Sequence, residues 1–426
     1  MNKVAIIGAG ASGLISAKIF QDNGFRVKVF EKTSNIGGIW NYHESQGVLY
    51  KSLKTNLPKE IMSFDNEKVS YKANNISFVS HKDVLLYLKE NAQEWKITDK
   101  ICLNTEVIKL EPINKSLTKP LWKIVYINNG NIFYEEFDFI IIANGHYHKP
   151  KLPHNVPGFN DIIKNSIHSK YYRRAKNHAN KVLCVGYSSS GIDISKELYN
   201  SGKEVFVSIR DLDKKQEILN IQNSQGIKFI STIIKYKYSK EDNKCIAITK
   251  NGNSLKVDEI IFCTGYFYDF PFLSPKIITT ENNIIKPLYS HILHQKYINL
   301  AFVGIPWKTV PFILSECQAI FLANMWKASD SHLNNIIKKL IDLHNSFKHA
   351  EQPLKNYHML EKEQWIYNLS LLDIVNKKTK EPEKRINLIE KIYIDLQQLK
   401  NKKPDNYRDF IYKVDWDKYF YKKFSP

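Results

Sequence analysis

Two glycine-rich turns carry the clearest chemistry in this chain, Gly8-Ala9-Gly10-Ala11-Ser12-Gly13 near the start and Gly186-Tyr187-Ser188-Ser189-Ser190-Gly191 in the middle. Each directly follows a short, mostly apolar run, Val4 to Ile7 or Lys181 to Val185, and each leads into a segment whose apolar residues recur at helical spacing. Strand, glycine turn and helix in that order make a phosphate cradle. The first glycine permits a tight turn, the second lets a pyrophosphate approach the backbone, and the third lets helix and strand pack closely. The helix N-terminus adds N–H donors and a partial positive charge. One such pattern is a weak signal, but two in this local context predict two bound dinucleotides.

The residues that tell the two cradles apart stand one strand further on. After the first turn, a helix is expected over Leu14 to Asn23, stopped by Gly24, and then a strand over Arg26 to Phe30 that ends on Glu31. An acid at that tip accepts hydrogen bonds from ribose hydroxyls and repels a 2′-phosphate, so FAD or NAD fits better than NADP. After the second turn, a helix is expected over Ile192 to Tyr199, stopped by Gly202, and then a strand over Glu204 to Ser208 with Arg210 just beyond. Arg210 can pair bidentately with a 2′-phosphate and Ser208 can donate to it, which selects NADPH. Ser188 stands where the middle glycine would be, which fits a hydroxyl or backbone contact with phosphate.

Two further segments carry polar or backbone chemistry. Gly37-Gly38-Ile39-Trp40 follows Glu31 closely, where glycines let the chain pass near a cofactor. The stretch from Tyr50 to Met62 holds Thr55-Asn56-Leu57-Pro58 at high polar density between apolar ends. Asn before Leu-Pro is also ordinary turn chemistry.

Gly37 to Trp40, Ser52 to Glu60, Asn144-Gly145-His146-Tyr147 and Phe262-Cys263-Thr264-Gly265-Tyr266 together resemble the flavin-containing monooxygenases, class B single-component flavoenzymes, over residues 1 to about 330. The resemblance implies FAD in the first cradle and NADPH in the second, with Ser190 and Gly191 touching the NADPH phosphates. It implies that the backbone of Val107 meets the FAD adenine and that Thr264 opens the strand returning from the second domain. Thr55, Asn56 and Leu57 would lie between flavin and nicotinamide, and Pro311-Phe312 with Glu316 and Gln318 beside the isoalloxazine. The implied reaction is hydride delivery from NADPH to FAD, formation of a C4a-hydroperoxyflavin with dioxygen, and attack on its distal oxygen by an amine nitrogen or a sulfur. Asn56 is then the candidate catalytic residue, its amide hydrogen-bonding flavin, oxygen adduct or NADP⁺. No metal is expected.

One family signature departs. Its F-x-G-x-x-x-H-x-x-x-(Y/W) pattern falls on Ile162, Lys164, His168 and Tyr172, so the last two positions are kept and the first two are not. A Baeyer-Villiger monooxygenase acting on ketones shares fold and cofactors, but that group's W-x-x-x-x-(F/Y)-P-x-x-x-D pattern does not follow Trp40. A disulfide reductase needs a redox-active cysteine pair, whereas the five cysteines here are scattered. A non-catalytic flavoprotein acting as a binding module is the alternative from another class.

Composition bounds the rest. With 426 residues, 43% hydrophobic and 25% charged, the chain has room for two or three domains of ordinary globular character. The cysteines, without C-x-x-C or histidine partners at ligand spacing, point to a reducing, cytoplasmic location. The net charge of +19 comes from dispersed lysines, which reads as a solvated surface and not as a nucleic-acid interface. No apolar run reaches the length of a membrane span. A homodimer is compatible with the sequence.

The expected fold is α/β, with two Rossmann-like dinucleotide-binding domains, the NADPH domain inserted into the FAD domain, and a helical C-terminal extension. FAD-binding residues are expected over 1–155 and 276–340, NADPH-binding residues over 156–275, and the extension over 341–426. Leu333, Ile336, Ile337, Leu340, Ile341 and Leu343 form an apolar stripe that would seat the tail helices on the FAD domain.

Overall fold

A computed structural model describes residues 1–426 apart from 66–67, 114–115, 117, 211, 213–225 and 348–352. The chain divides into two compact units, Met1–Asn41 with Lys54–His146 and Tyr268–Pro426, and Tyr42–Leu53 with Tyr147–Phe267. Most of the second unit is thus an insertion within the first. The short piece Tyr42–Leu53, which lies within the 1–155 expectation, packs with the second unit, where Tyr50 shares an apolar cluster with Tyr172.

The first unit is built on a seven-stranded sheet, counted among the described residues. At its centre Lys3–Ile7 pairs in parallel with Arg26–Phe30 on one side and Phe139–Ile142 on the other. Val4, Ala5 and Ile6 have no exposed surface, which is why this strand reads as an unbroken apolar run: both faces are covered. The helix α1 (Ala11–Asp22) crosses one face. A separate antiparallel sheet, Thr105–Pro112, Trp122–Asn128 and Asn131–Phe137, covers part of the other through Val107, Trp122 and Ile124.

Further helices are α2 (His81–Glu94) in the first unit and α3 (Ser189–Asn200) in the second. The later part of the first unit adds α4 (Pro311–Lys327), α5 (Asp330–Ser346), α6 (Gln364–Ile374) and α7 (Lys380–Lys402). Leu333, Ile336, Leu340 and Leu343 are buried in the same core as α1, so the stripe seats the tail as its spacing predicts. The extension is not purely helical. It ends in a β-hairpin, Ile411–Asp415 with Phe420–Phe424, because Tyr412 and Val414 alternate inward on the last segment and strand pairing suits that period.

The second unit repeats the plan with a five-stranded parallel sheet in the order Lys228–Ile230, Glu204–Ser208, Lys181–Val185, Glu259–Phe262 and Ser166–His168. Both glycine-turn helices start earlier than expected, at Ala11 and Ser189 rather than Leu14 and Ile192. The third glycine of each turn, Gly13 or Gly191, therefore belongs to the first helical turn. No helix among the described residues is long and apolar enough to cross a membrane.

The family signature that departs forms part of the second unit's interior, with Ile162, His168 and Tyr172 all buried. The His168 ring accepts the Lys170 N–H at Nδ1 (3.1 Å) and donates from Nε2 to the Gly265 carbonyl (3.0 Å), which fixes the neutral tautomer. Burial pushes its pKa down to about 4. Between pH 6.5 and 4 the unfolded chain binds a proton that the native ring refuses, so this contribution is complete above pH 6.5 and is lost as pH falls toward 4. At 1.36 kcal/mol per pKa unit, the loss is on the order of 3 kcal/mol. Urea unfolding between pH 7 and 4.5 should show this decline in the wild type and a shallower one in His168→Gln; identical slopes would assign the acid sensitivity elsewhere.

Candidate functional site

The first cradle is formed by backbone meeting backbone. Gly8 has φ +107°, and a Cβ there would sit 2.5 Å from the Ala143 carbonyl oxygen on the neighbouring strand's exit. A Cβ on Gly13 would lie 1.8 Å from the Gly8 oxygen, so helix and turn touch directly. Gly10 differs. Its Cβ would meet nothing nearer than the Gly38 Cα at 3.6 Å, while a Cβ on Gly38 would come within 2.9 Å of the Gly10 Cα. The two backbones thus face each other across a narrow gap, tied by the Gly37 N–H to the Ala9 carbonyl (2.9 Å). Ile39 and Trp40 continue from Gly38 as one helical turn, with Ile39 exposed.

The first intrahelical bond of α1 runs from Leu14 N to Gly10 O, and no side chain caps the helix. The N–H groups of Ala11, Ser12 and Gly13 precede that bond, which is the donor set an anion takes at a helix start. Glu31, buried at the strand tip, accepts from Ala9 N (2.9 Å) at Oε2 and from Thr33 N and Oγ1 (2.9 and 2.7 Å) at Oε1. The carboxylate therefore braces the turn, and Oε2 keeps a lone pair for one further donor. The Glu31 carbonyl accepts from Thr105 N (2.8 Å), which brings Val107, two residues along that strand, to the same end of the unit. A register shift between Val107 and Lys109 interrupts the ladder there. A glycine-lined gap, helix-start donors and an acid at the strand tip together fit the pyrophosphate and ribose of a flavin dinucleotide.

The opposite wall comes from α4. Ser12 Oγ and Ser315 Oγ are 2.8 Å apart, and a Cβ on Gly304 would lie 2.6 Å from Ser12 Oγ. Gln318 lies behind this contact with no exposed surface. Its Oε1 accepts from Gly304 N (2.9 Å) and its Nε2 donates to the Tyr367 hydroxyl (2.8 Å), which in turn donates to the Ser290 carbonyl (2.8 Å). Gln318 thus links the Gly304 backbone to Tyr367, with one end of its amide on each. Glu316 is likewise engaged, by Arg385 Nη1 (2.7 Å) and by Asp65 N (3.0 Å).

Thr55, Asn56 and Leu57 divide by burial: Thr55 and Leu57 are inside and Asn56 is exposed. Thr55 N donates to Val79 O (2.8 Å) and Val79 N donates to Thr55 Oγ1 (3.1 Å), so the backbone just before Asn56 is anchored. Glu60 closes the stretch. Burial raises its pKa, and the Lys59 ammonium 3.0 Å away acts in the opposite direction.

The second cradle repeats the glycine geometry. Gly186 has φ +104° with a Cβ position 2.5 Å from Cys263 O, and a Cβ on Gly191 would lie 2.1 Å from Gly186 O. Ser188 and Ser189 are exposed at the start of α3 with Ser190 half-buried beside them, and the Ser188 side chain makes no cap. Ile192 N to Ser188 O is the first intrahelical bond, so the amides of Ser189, Ser190 and Gly191 precede it. Arg210 is exposed just past the strand tip. Ser208 departs from the expected phosphate donor: it is buried and its hydroxyl donates to Ser231 O (3.1 Å). The Thr264 hydroxyl also has a structural partner, the Lys151 carbonyl.

The fold also revises the reading of the cysteines. Cys184 on one strand and Cys263, just past the end of the adjacent parallel strand, are far apart in sequence yet have their side chains hydrogen-bonded. The Cys263 contact and then burial push the Cys184 thiol well above its usual range, leaving little thiolate for disulfide exchange at neutral pH.

Residues 1–220 match the family described as Flavin-binding monooxygenase-like. The chain is 34% identical over 345 residues to flavin-containing monooxygenase FMO GS-OX-like 7 of Arabidopsis thaliana, an alignment covering 76% of this chain and 72% of the relative. Among solved structures it is similar to S-allyl-L-cysteine S-oxygenase from Allium sativum, at 26% identity and a TM-score of 0.78 over 98% of this chain and 96% of that one. The fold is also that of Tmm from Pelagibacter sp. strain HTCC7211, with a TM-score of 0.77 at 23% identity over 100% and 96% of the two chains.

Proposed function

Because the chain belongs to the flavin-containing monooxygenase family, we propose that it is an FAD enzyme that uses NADPH and dioxygen to oxygenate a soft nucleophile, a sulfur or an amine nitrogen. The observation that carries this reading is the pair of glycine cradles with opposite tips, buried Glu31 in one and exposed Arg210 in the other. When bound, the flavin supplies the electron-transfer and oxygen-activating chemistry, as cofactors do in such enzymes.

The chain's own residues bind and orient. The amides of residues 11–13 and the Gly10–Gly38 gap receive the FAD pyrophosphate, Glu31 holds its ribose, and Val107 lies by the adenine end. The amides of Ser189 to Gly191 receive the NADPH phosphates, and Arg210 pairs with the 2′-phosphate. Asn56 presents an amide that can donate and accept from an anchored backbone, which suits a group that must hold a proton or an oxygen at the reacting atoms. The sulfur branch of the proposal draws on the similarity to S-allyl-L-cysteine S-oxygenase from Allium sativum.

Purified protein, with its flavin released and identified, should oxidise NADPH faster when a thioether or tertiary amine is present and return the S-oxide or N-oxide. Turnover of cyclic ketones alone, giving esters or lactones, would overturn the assignment. Asn56→Ala should keep its flavin and lose about tenfold in oxygenated product per NADPH, the equivalent of one hydrogen bond of about 1.4 kcal/mol. An unchanged yield would remove Asn56 from the mechanism.

A further inference from the structure

The C-terminal segment returns to the stretch that carries Asn56. Arg408 Nε donates to the Thr55 carbonyl (3.1 Å), across 353 residues of chain. The Thr55 carbonyl and the Asn56 N–H belong to one planar peptide unit, so this bond orients the plane from which the Asn56 side chain departs. Arg408 is itself held. Its guanidinium lies 5.0 Å from the Tyr407 ring centroid, and Tyr407 packs edge-on against Phe78 at 5.3 Å.

A second anchor follows four residues later. Tyr412 is buried, its N–H donates to Ser77 Oγ (2.8 Å) and its hydroxyl donates to Asp395 on α7 (2.8 Å). Ser77 Oγ in turn reaches Glu60 Oε1 (3.0 Å), and Ser77 O accepts from Lys59 N (2.7 Å). The strap formed by residues 407–412 therefore meets the Thr55–Glu60 stretch at both ends, through Arg408 at Thr55 and through Ser77 at Glu60.

We propose that Arg408 is a positioning residue, which sets the Thr55–Asn56 peptide and so the reach of the Asn56 amide, making the C-terminal strap part of the reactive site's support. This rests on the assignment of Asn56 above. The choice of arginine is informative, because only six of the 62 basic residues are arginines and a guanidinium can hold a carbonyl from Nε while its outer face stacks on an aromatic ring.

Hydrogen–deuterium exchange on the flavin-loaded protein reads the positioning directly. In Arg408→Ala, peptides spanning residues 54–62 should lose protection while those spanning residues 4–20 do not change. Product yield per NADPH should fall about tenfold, as expected for one lost hydrogen bond, with the KM for NADPH unaltered. Asn56→Ala combined with Arg408→Ala should be no worse than Asn56→Ala alone, since one residue acts through the other. Unchanged protection at residues 54–62, or losses that multiply in the double variant, would overturn the proposal. A fully active Asn56→Ala would overturn the Asn56 assignment instead, leaving the exchange result to decide whether Arg408 orders the segment. If Arg408→Ala does not accumulate folded, Arg408→Gln carries the same comparison, keeping an amide donor of shorter reach without the charge.

Discussion

Replacing Arg385 with alanine should destabilise the protein by about 3–5 kcal/mol, the usual consequence of leaving one charge of a buried pair behind. Arg385, on α7, donates from Nη1 to Glu316 Oε2 at 2.7 Å and from Nη2 to the Ser63 carbonyl at 3.0 Å, and its guanidinium lies 6.0 Å from the Trp416 ring. The exposed surface is 11% for the arginine side chain and 7% for the glutamate, so water cannot take over when one partner is removed. The sign of the effect depends on which groups remain. In Glu316→Gln combined with Arg385→Met, the amide oxygen can still accept from Asp65 N and no charge is buried. That double variant should recover most of the loss. Urea midpoints of the wild type, both single variants and the double variant form the test cycle. Purely additive losses would show that the pair is not the source.

The second large effect is expected at the cofactor selector. Arg210→Ala should lower kcat/KM for NADPH by roughly 10- to 100-fold, the range spanned by one charge-assisted phosphate contact of about 1.5–3 kcal/mol. NADH, which lacks the 2′-phosphate, should be used about as well as before. The contrast is sharper because Ser208, the other residue at that tip, directs its hydroxyl to Ser231. Equal losses with both nucleotides would mean that Arg210 serves the fold of the loop and does not read the phosphate.

Much of this was legible locally. Positive-φ glycines at Gly8 and Gly186, the third glycines at Gly13 and Gly191, the apolar strands before them and the charges after them lie within about thirty residues of one another in each unit, and each is demanded by short-range sterics or pairing. The turn pattern therefore survives translation into structure almost unchanged. The helices start three residues before the first periodic apolar position because Gly13 and Gly191 lie within the first turn, where apolar periodicity carries no signal.

What could not be read locally is how polar side chains are used once the chain folds back on itself. Gln318 and Glu316 stand where resemblance puts groups beside a flavin, yet the first joins Gly304 to Tyr367 and the second joins Asp65 to Arg385. Ser208 stands at the strand tip where a phosphate donor is expected, and its hydroxyl donates to the Ser231 carbonyl. The cysteines are scattered in sequence, yet the fold brings Cys184 and Cys263 together at the end of two adjacent strands. One signal was available and went unread: in a lysine-rich chain, arginines are rare, and Arg173, Arg385 and Arg408 each bind backbone carbonyls that a single ammonium could not grip in the same way.

By itself, then, the sequence determined two phosphate cradles and the charge that follows each, because glycine dihedrals, strand burial and a helix start are properties of neighbouring residues. Only the tertiary structure decided which polar groups support those cradles and the Asn56 stretch. A hydrogen bond depends on distance in space, and Arg408 reaches Thr55 only after the intervening chain has been packed between them.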